Sequence, residues 1–99
     1  MNYKFRKRPV TIEAFQMTEE RRQNNFDWPT WLHEAWNKQE FSEGSVCIDP
    51  NDLERKRLCI GTLEGVMRVD WNDWIIKGVK GELYPCKPDI FQSSYEEVI

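Results

Sequence analysis

The segment Tyr84-Pro85-Cys86-Lys87-Pro88-Asp89 constrains this chain more than any other stretch. Each proline fixes φ and removes a backbone donor, and the residue before each, Tyr84 or Lys87, is pushed away from helix. The segment is therefore expected to be stiff and extended. From Asp70 to Tyr95 it is surrounded by Trp71 and Trp74, the densest apolar run (Trp74, Ile75, Ile76), and Gly78 and Gly81, which bracket a turn. The rest of the chain is expected to organise around this region.

A chain of 99 residues makes one domain with one core and little volume for a deep pocket. Apolar residues at 39% and charged residues at 31% fit a globular domain and argue against disorder. Five tryptophans fill a small core economically, and any that stay outside make a sticky surface. A formal charge of -3 argues against a general nucleic-acid binder. The local exception is Lys4, Arg6, Lys7 and Arg8, a run that is either simply solvated or meets phosphates or an acidic protein. No secretory apolar region and no run near the ~18 residues of a membrane span is found, so a cytoplasmic protein without membrane contact is expected. Three cysteines without a CxxC pair give no disulfide framework and read as buried thiols. No cofactor or metal is indicated, and His33 has no companion at ligand spacing.

Alternation over residues 10–16 predicts a strand with Val10, Ile12, Ala14 and Gln16 on one face. Phe15 breaks the other, polar face, so both faces are partly covered or Phe15 lies under the next segment. Thr18 can cap a short turn in the charged stretch that follows. Residues 27–36 read as a helix with Pro29 near its first position and Trp28, Trp31, Leu32, Ala35 and Trp36 on an apolar stripe. Residues 45–49 and 57–61 form a hairpin if centred on Leu53, with Cys47 opposite Cys59, Val46 opposite Ile60 and Ile48 opposite Leu58. Glu64-Gly65 suits the tight turn of a second hairpin. Further strands are expected at 74–77 and 82–86, a helical turn capped by Asp89, and a closing strand over 95–98. The fold class is α+β: a small bent antiparallel sheet or partial barrel of five to seven short strands, with one Trp-rich helix packed on it.

Two segments resemble a family of small, mostly uncharacterised bacteriophage and prophage proteins. One is Arg8-Pro9-Val10-Thr11-Ile12-Glu13-Ala14-Phe15-Gln16, and the other runs from Asn72 through Trp74-Ile75-Ile76-Lys77-Gly78-Val79-Lys80-Gly81-Glu82 and Tyr84-Pro85-Cys86-Lys87-Pro88-Asp89-Ile90 to Phe91. Leu63-Glu64-Gly65 matches the family's hairpin turn, and residues 18–44 are a variable helical insertion within a single domain of residues 1–99. Asn72-Asp73 departs from the Pro-Gly-Asp turn that is commoner there. The resemblance implies a phage or prophage origin and a bacterial cytoplasm, and it supplies no activity.

Candidate contact residues for a ligand or partner are Tyr84, Cys86, Lys87 and Asp89, with Lys77 and Lys80 at the glycine-bracketed turn and Trp71 as a surface aromatic. Cys86 beside Lys87 could have a lowered thiol pKa, the preparation for a nucleophile, yet no relay of catalytic residues is evident. The turn Gly78-Val79-Lys80-Gly81 could offer N–H groups to a phosphate, or could hold these residues for conformational reasons alone. The leading expectation is a non-catalytic accessory protein that binds a host or phage protein, with homo-oligomerisation as an accompaniment. The alternative is a binder that sequesters a nucleotide signal used in host defence, and a weaker one is a Cys86-dependent enzyme.

Overall fold

Short apolar runs broken by turns give six strands and three short helices in the computed structural model, which describes residues 3–99. The order is β1 (Glu13–Gln16), α1 (Glu19–Gln23), a 3-10 turn (Asn25–Asp27), α2 (Thr30–Trp36), β2 (Val46–Ile48), β3 (Leu58–Thr62), β4 (Gly65–Val69), β5 (Trp74–Lys77), β6 (Leu83–Cys86) and α3 (Pro88–Ser94). Every strand pairing is antiparallel, in two three-stranded sheets ordered β1-β5-β6 and β2-β3-β4. The α+β class and the open, partial sheet structure are as expected, with the six strands divided between two sheets.

The first hairpin has the register that symmetry about Leu53 requires, with Cys47 opposite Cys59. Its long loop is held by a buried carboxylate: Asp52 accepts from the N–H groups of Glu54, Lys56 and Arg57. The second hairpin turns one residue earlier than expected, on Leu63-Glu64, with Thr62 opposite Gly65. Gly65 has φ +120°, a value that side chains disfavour, so the glycine serves the first strand position after the turn.

Strand β1 is shorter than the alternation suggested, and of the two readings open for Phe15 the structure shows both faces covered. Phe15, not Ala14, points into the core, where it stands opposite Ile75 and joins Met17, Leu32, Val46, Leu58, Ile60, Val69 and Leu83. Ala14 stands opposite Ile76, which is fully buried on the other face of the sheet, where Trp74 and Tyr84 are half-buried. That outer face is roofed by α3. Trp74 stacks on Phe91 with centroids 4.1 Å apart, and Phe91 on Tyr95 at 5.0 Å. The sheet is thus apolar on both sides, which is why strict alternation failed to reveal which side was the core.

Thr18 caps α1 by accepting from the Arg21 N–H. Pro29 lies next to the first helical position of α2, as expected, and occupies its cap. From that helix region Trp28, Leu32 and Ala35 are buried and Trp31 packs partly on the core, while Trp36 is pushed to the edge against Trp28. Asp89 does not cap α3. Lys87 occupies the cap and Pro88 the first turn, so Asp89 lies inside a helix that runs on to Ser94. Proline at that position loses only an N–H that would have had no helical partner. Residues 95–99 form no strand.

Candidate functional site

The turn at residues 70–73 sets the geometry around Lys87. The Asp73 N–H donates to the Asp70 carbonyl, and Asn72 adopts φ 74°, a left-handed value that asparagine tolerates better than most residues. Glycine would also fit this position. Two backbone bonds with Met17 tie the turn to the end of β1.

The Asp73 carboxylate is 2% exposed and accepts from the Asp70 N–H at 2.9 Å and from Lys87 Nζ at 3.1 Å. Lys87 Nζ also reaches Asp70 Oδ2 at 2.7 Å. The bond from Lys87 holds the Asp70 carboxyl below its ordinary value, and the Asp70 and Asp73 carboxylates raise Lys87 in turn. Beyond Asp70 the charges continue to alternate. Arg68 lies 3.6 Å from Asp70 and 2.9 Å from Asp49, and Arg57 lies 3.6 Å from Asp52 while its guanidinium sits over Trp71. This chain of ion pairs joins β6 to the β2–β3 loop, so it ties one sheet to the other. Lys87 and Trp71 are parts of that tie.

Cys86 contradicts the expectation of a lowered thiol pKa. Burial pushes its thiol up, and the negative charges of Asp73 and Asp89 push it further. The ammonium of Lys87, adjacent in sequence, is turned onto the aspartates, so it does nothing to favour the thiolate. Cys47 and Cys59 are buried with their sulfurs 3.6 Å apart, and burial pushes the Cys59 thiol up to about 12. Among the described residues no group of three or more histidine, cysteine or acidic side chains could hold a metal ion.

Tyr84 and Lys80 do come together. They line a groove of about 630 Å³ between the β3–β4 hairpin and the β5–β6 turn, with Lys38, Glu43, Glu64 and Met67 on its other walls. The Tyr84 phenol is pushed up to about 12, first by burial and then by its bond to Tyr95. The turn itself is not a phosphate cradle. Gly78 N–H donates to the Glu82 carbonyl, Gly81 N–H to the Gly78 carbonyl, and Lys80 N–H to the Glu82 carboxylate, which packs directly over Gly78. Lys77 stands apart, 3.7 Å from Glu13, in a shallow depression with Trp31 and Lys38.

The candidate residues therefore divide into the ion-paired corner (Lys87, Trp71, with Cys86 and Asp89 beside it), the groove (Tyr84, Lys80) and the isolated Lys77. Sequence reasoning missed Asp49, Asp52, Arg57 and Arg68. The run Asp49-Pro50-Asn51-Asp52 held the signal, since aspartates at these spacings bind the backbone a few residues ahead. No protein-family model matches the chain, and no curated protein or solved structure is significantly similar to it.

Proposed function

We propose that the chain is a non-catalytic interaction module, an accessory protein of phage or prophage origin that works in a bacterial cytoplasm by binding another protein. One observation carries this reading: large apolar side chains stand in solvent at several separate places. Leu53 is 98% exposed and Phe5 92%, and Tyr3, Phe26 and Leu63 are nearly as open. Isolated exposed apolar residues are ordinary on a protein surface. Here, however, two are aromatic rings on one extended arm, while Lys87 and Lys77 are already paired with carboxylates of the fold. The resemblance of residues 8–16 and 72–91 to phage proteins supports the proposed origin. No helix among the described residues is long and apolar enough to cross a membrane.

Native mass spectrometry of the protein purified from bacterial cells that produce it tests the reading. A stoichiometric complex with a second protein, lost in a Tyr3→Ala/Phe5→Ala/Phe26→Ala variant, is the expected result. A chain that carries no other protein under any condition overturns it.

The groove favours a second reading, a small-molecule binder, because its volume of about 630 Å³ lies in the range of ligand pockets. Its charge suits a nucleotide less well: Glu43, Glu64 and Glu82 outnumber Lys38 and Lys80 along the walls. Calorimetry against a panel of cyclic and linear nucleotides, with heat abolished by Lys80→Glu, would move the assignment to this reading.

A further inference from the structure

Residues 3–12 form no strand or helix and are mostly exposed, a polar and basic arm with Tyr3 80% and Phe5 92% exposed. The molecule is correspondingly long, with extents of 51 × 31 × 23 Å. Its accessible surface is 7679 Å², whereas a compact monomer of this mass exposes roughly 6,000 Å². The surplus of roughly 1,700 Å² is about twice what one partner contributes to a standard protein interface.

A second groove, of about 530 Å³, lies at the other end of the same segment. Val10, Ile12 and Ala14 form one wall, the tail residues Tyr95 to Val98 the other, and Trp74 and Phe91 the floor. Its lining is mostly apolar and aromatic, and its carboxylates are Glu96 and Glu97. Neither glutamate has an ion pair among the described residues, and neither do Arg6, Lys7 or Arg8. The chain thus carries an aromatic, basic arm and an aromatic groove with an acidic rim, with Arg6, Lys7 and Arg8 on the one and Glu96 and Glu97 on the other outside any ion pair among the described residues. Such a pair of self-complementary features closes into a two-fold dimer when each copy gives its arm to the other.

We propose that two copies of the chain exchange their N-terminal arms. Residues 3–8 of one copy lie in the groove between segment 10–14 and the C-terminal tail of the other. Tyr3 and Phe5 pack on the column of Trp74, Phe91 and Tyr95, and Arg6, Lys7 and Arg8 face Glu96 and Glu97. This deepens the interaction-module reading and rests on it for the view that exposed aromatics are contact residues. Ring-on-ring contacts with a fixed geometry supply the affinity, and the charges set which surface meets which.

Charge swapping tests the exchange on the full chain. Arg6→Glu/Lys7→Glu/Arg8→Glu gives an acidic arm with an acidic groove, and Glu96→Lys/Glu97→Lys a basic arm with a basic groove. By sedimentation velocity the unmodified protein is expected to dimerise at micromolar concentration. Each variant alone should associate at least about tenfold more weakly, as like charges replace opposite ones. An equimolar mixture of the two should dimerise again, because each arm then meets a groove of opposite charge. Tyr3→Ala/Phe5→Ala should be monomeric with an unchanged circular dichroism spectrum. An unmodified protein that stays monomeric up to high concentration, or variants that dimerise as well as it does, overturns the exchange. A monomer that still captures another protein would overturn the exchange and leave the interaction module standing, whereas an exchanging dimer that captures none would do the reverse.

Discussion

Asp73→Ala isolates the corner that carries Lys87. The substitution removes a carboxylate that is 2% exposed and accepts two hydrogen bonds. The Asp70 N–H then loses its acceptor, which costs about 1–2 kcal/mol for a partly buried donor. Lys87 retains Asp70 but gives up its bond to a buried charge. Breaking a fully buried pair costs 3–5 kcal/mol, and since the Lys87 side chain is 52% exposed, about 1 kcal/mol is the appropriate share. The total is about 2–3 kcal/mol, which for a domain of this size lowers Tm by roughly 10–20 °C. Asp73→Asn keeps an acceptor for the Asp70 N–H and should lose only about 1 kcal/mol. Urea unfolding followed by tryptophan fluorescence, with Lys87→Met and the double variant completing a cycle, measures each part. If Asp73→Ala costs less than about 0.5 kcal/mol, or the cycle shows no coupling, the corner does not hold the sheets and Lys87 is available for another role.

Three further outcomes follow from the same geometry. Asp52 and Asp70 have lowered carboxyl pKa values, so their stabilisation is present above the ordinary value of 3.8 and is lost as pH falls through their folded values. Lys87 is raised, so its contribution is complete below 10.5 and is lost as pH rises through its folded value. A stability profile against pH should therefore fall at both ends, and Lys87→Met should flatten both limbs. A variant profile that keeps the same acid limb would show that Lys87 does not control Asp70. In thiol titration with an aromatic disulfide reagent, the half-buried Cys86 should react slowly and Cys47 and Cys59 only on unfolding; rapid reaction of one thiol at neutral pH would contradict the raised Cys86 and Cys59 values. Gly61→Ala should cost at least about 3 kcal/mol by urea unfolding, because a Cβ there would overlap the Ser42 carbonyl, and a near-neutral result would mean that the 41–44 loop can retreat.

What could be read from the sequence was whatever depends on near neighbours. The pairing of Cys47 with Cys59 follows from equal arms about Leu53, and Thr18 caps the turn that begins at the next residue. What could not be read depends on partners far along the chain. Phe15 belongs to the core because Ile75 stands opposite it, and Ala14 faces outward because Ile76 and α3 do, at separations near 60 residues. Within β1 each face carries one polar and one apolar residue, Glu13 with Phe15 and Ala14 with Gln16, so the phase of β1 is invisible locally. Lys87 was legible as a stiff, cationic position. That its charge was already taken depended on Asp70 and Asp73, 17 and 14 residues away.

The pairing of Lys87 with Asp70 and Asp73 weighs against a ligand site at that ammonium. An anionic ligand at Lys87 would have to compete with Asp70 for the same ammonium and would leave the buried Asp73 without its cation, a loss of the size worked out above. The ligand would thus weaken the joint between the sheets that positions Lys87. A contact made through the N-terminal arm, Leu53 or Phe26 meets no such opposition, because these side chains give up little in the free chain when they are covered. Burying an exposed aromatic ring contributes on the order of 2 kcal/mol against only two side-chain torsions to fix. On the proposed interaction-module reading, the free energy available for binding lies in the segments that the fold leaves outside, and the proline-locked strand serves to hold the body from which they project.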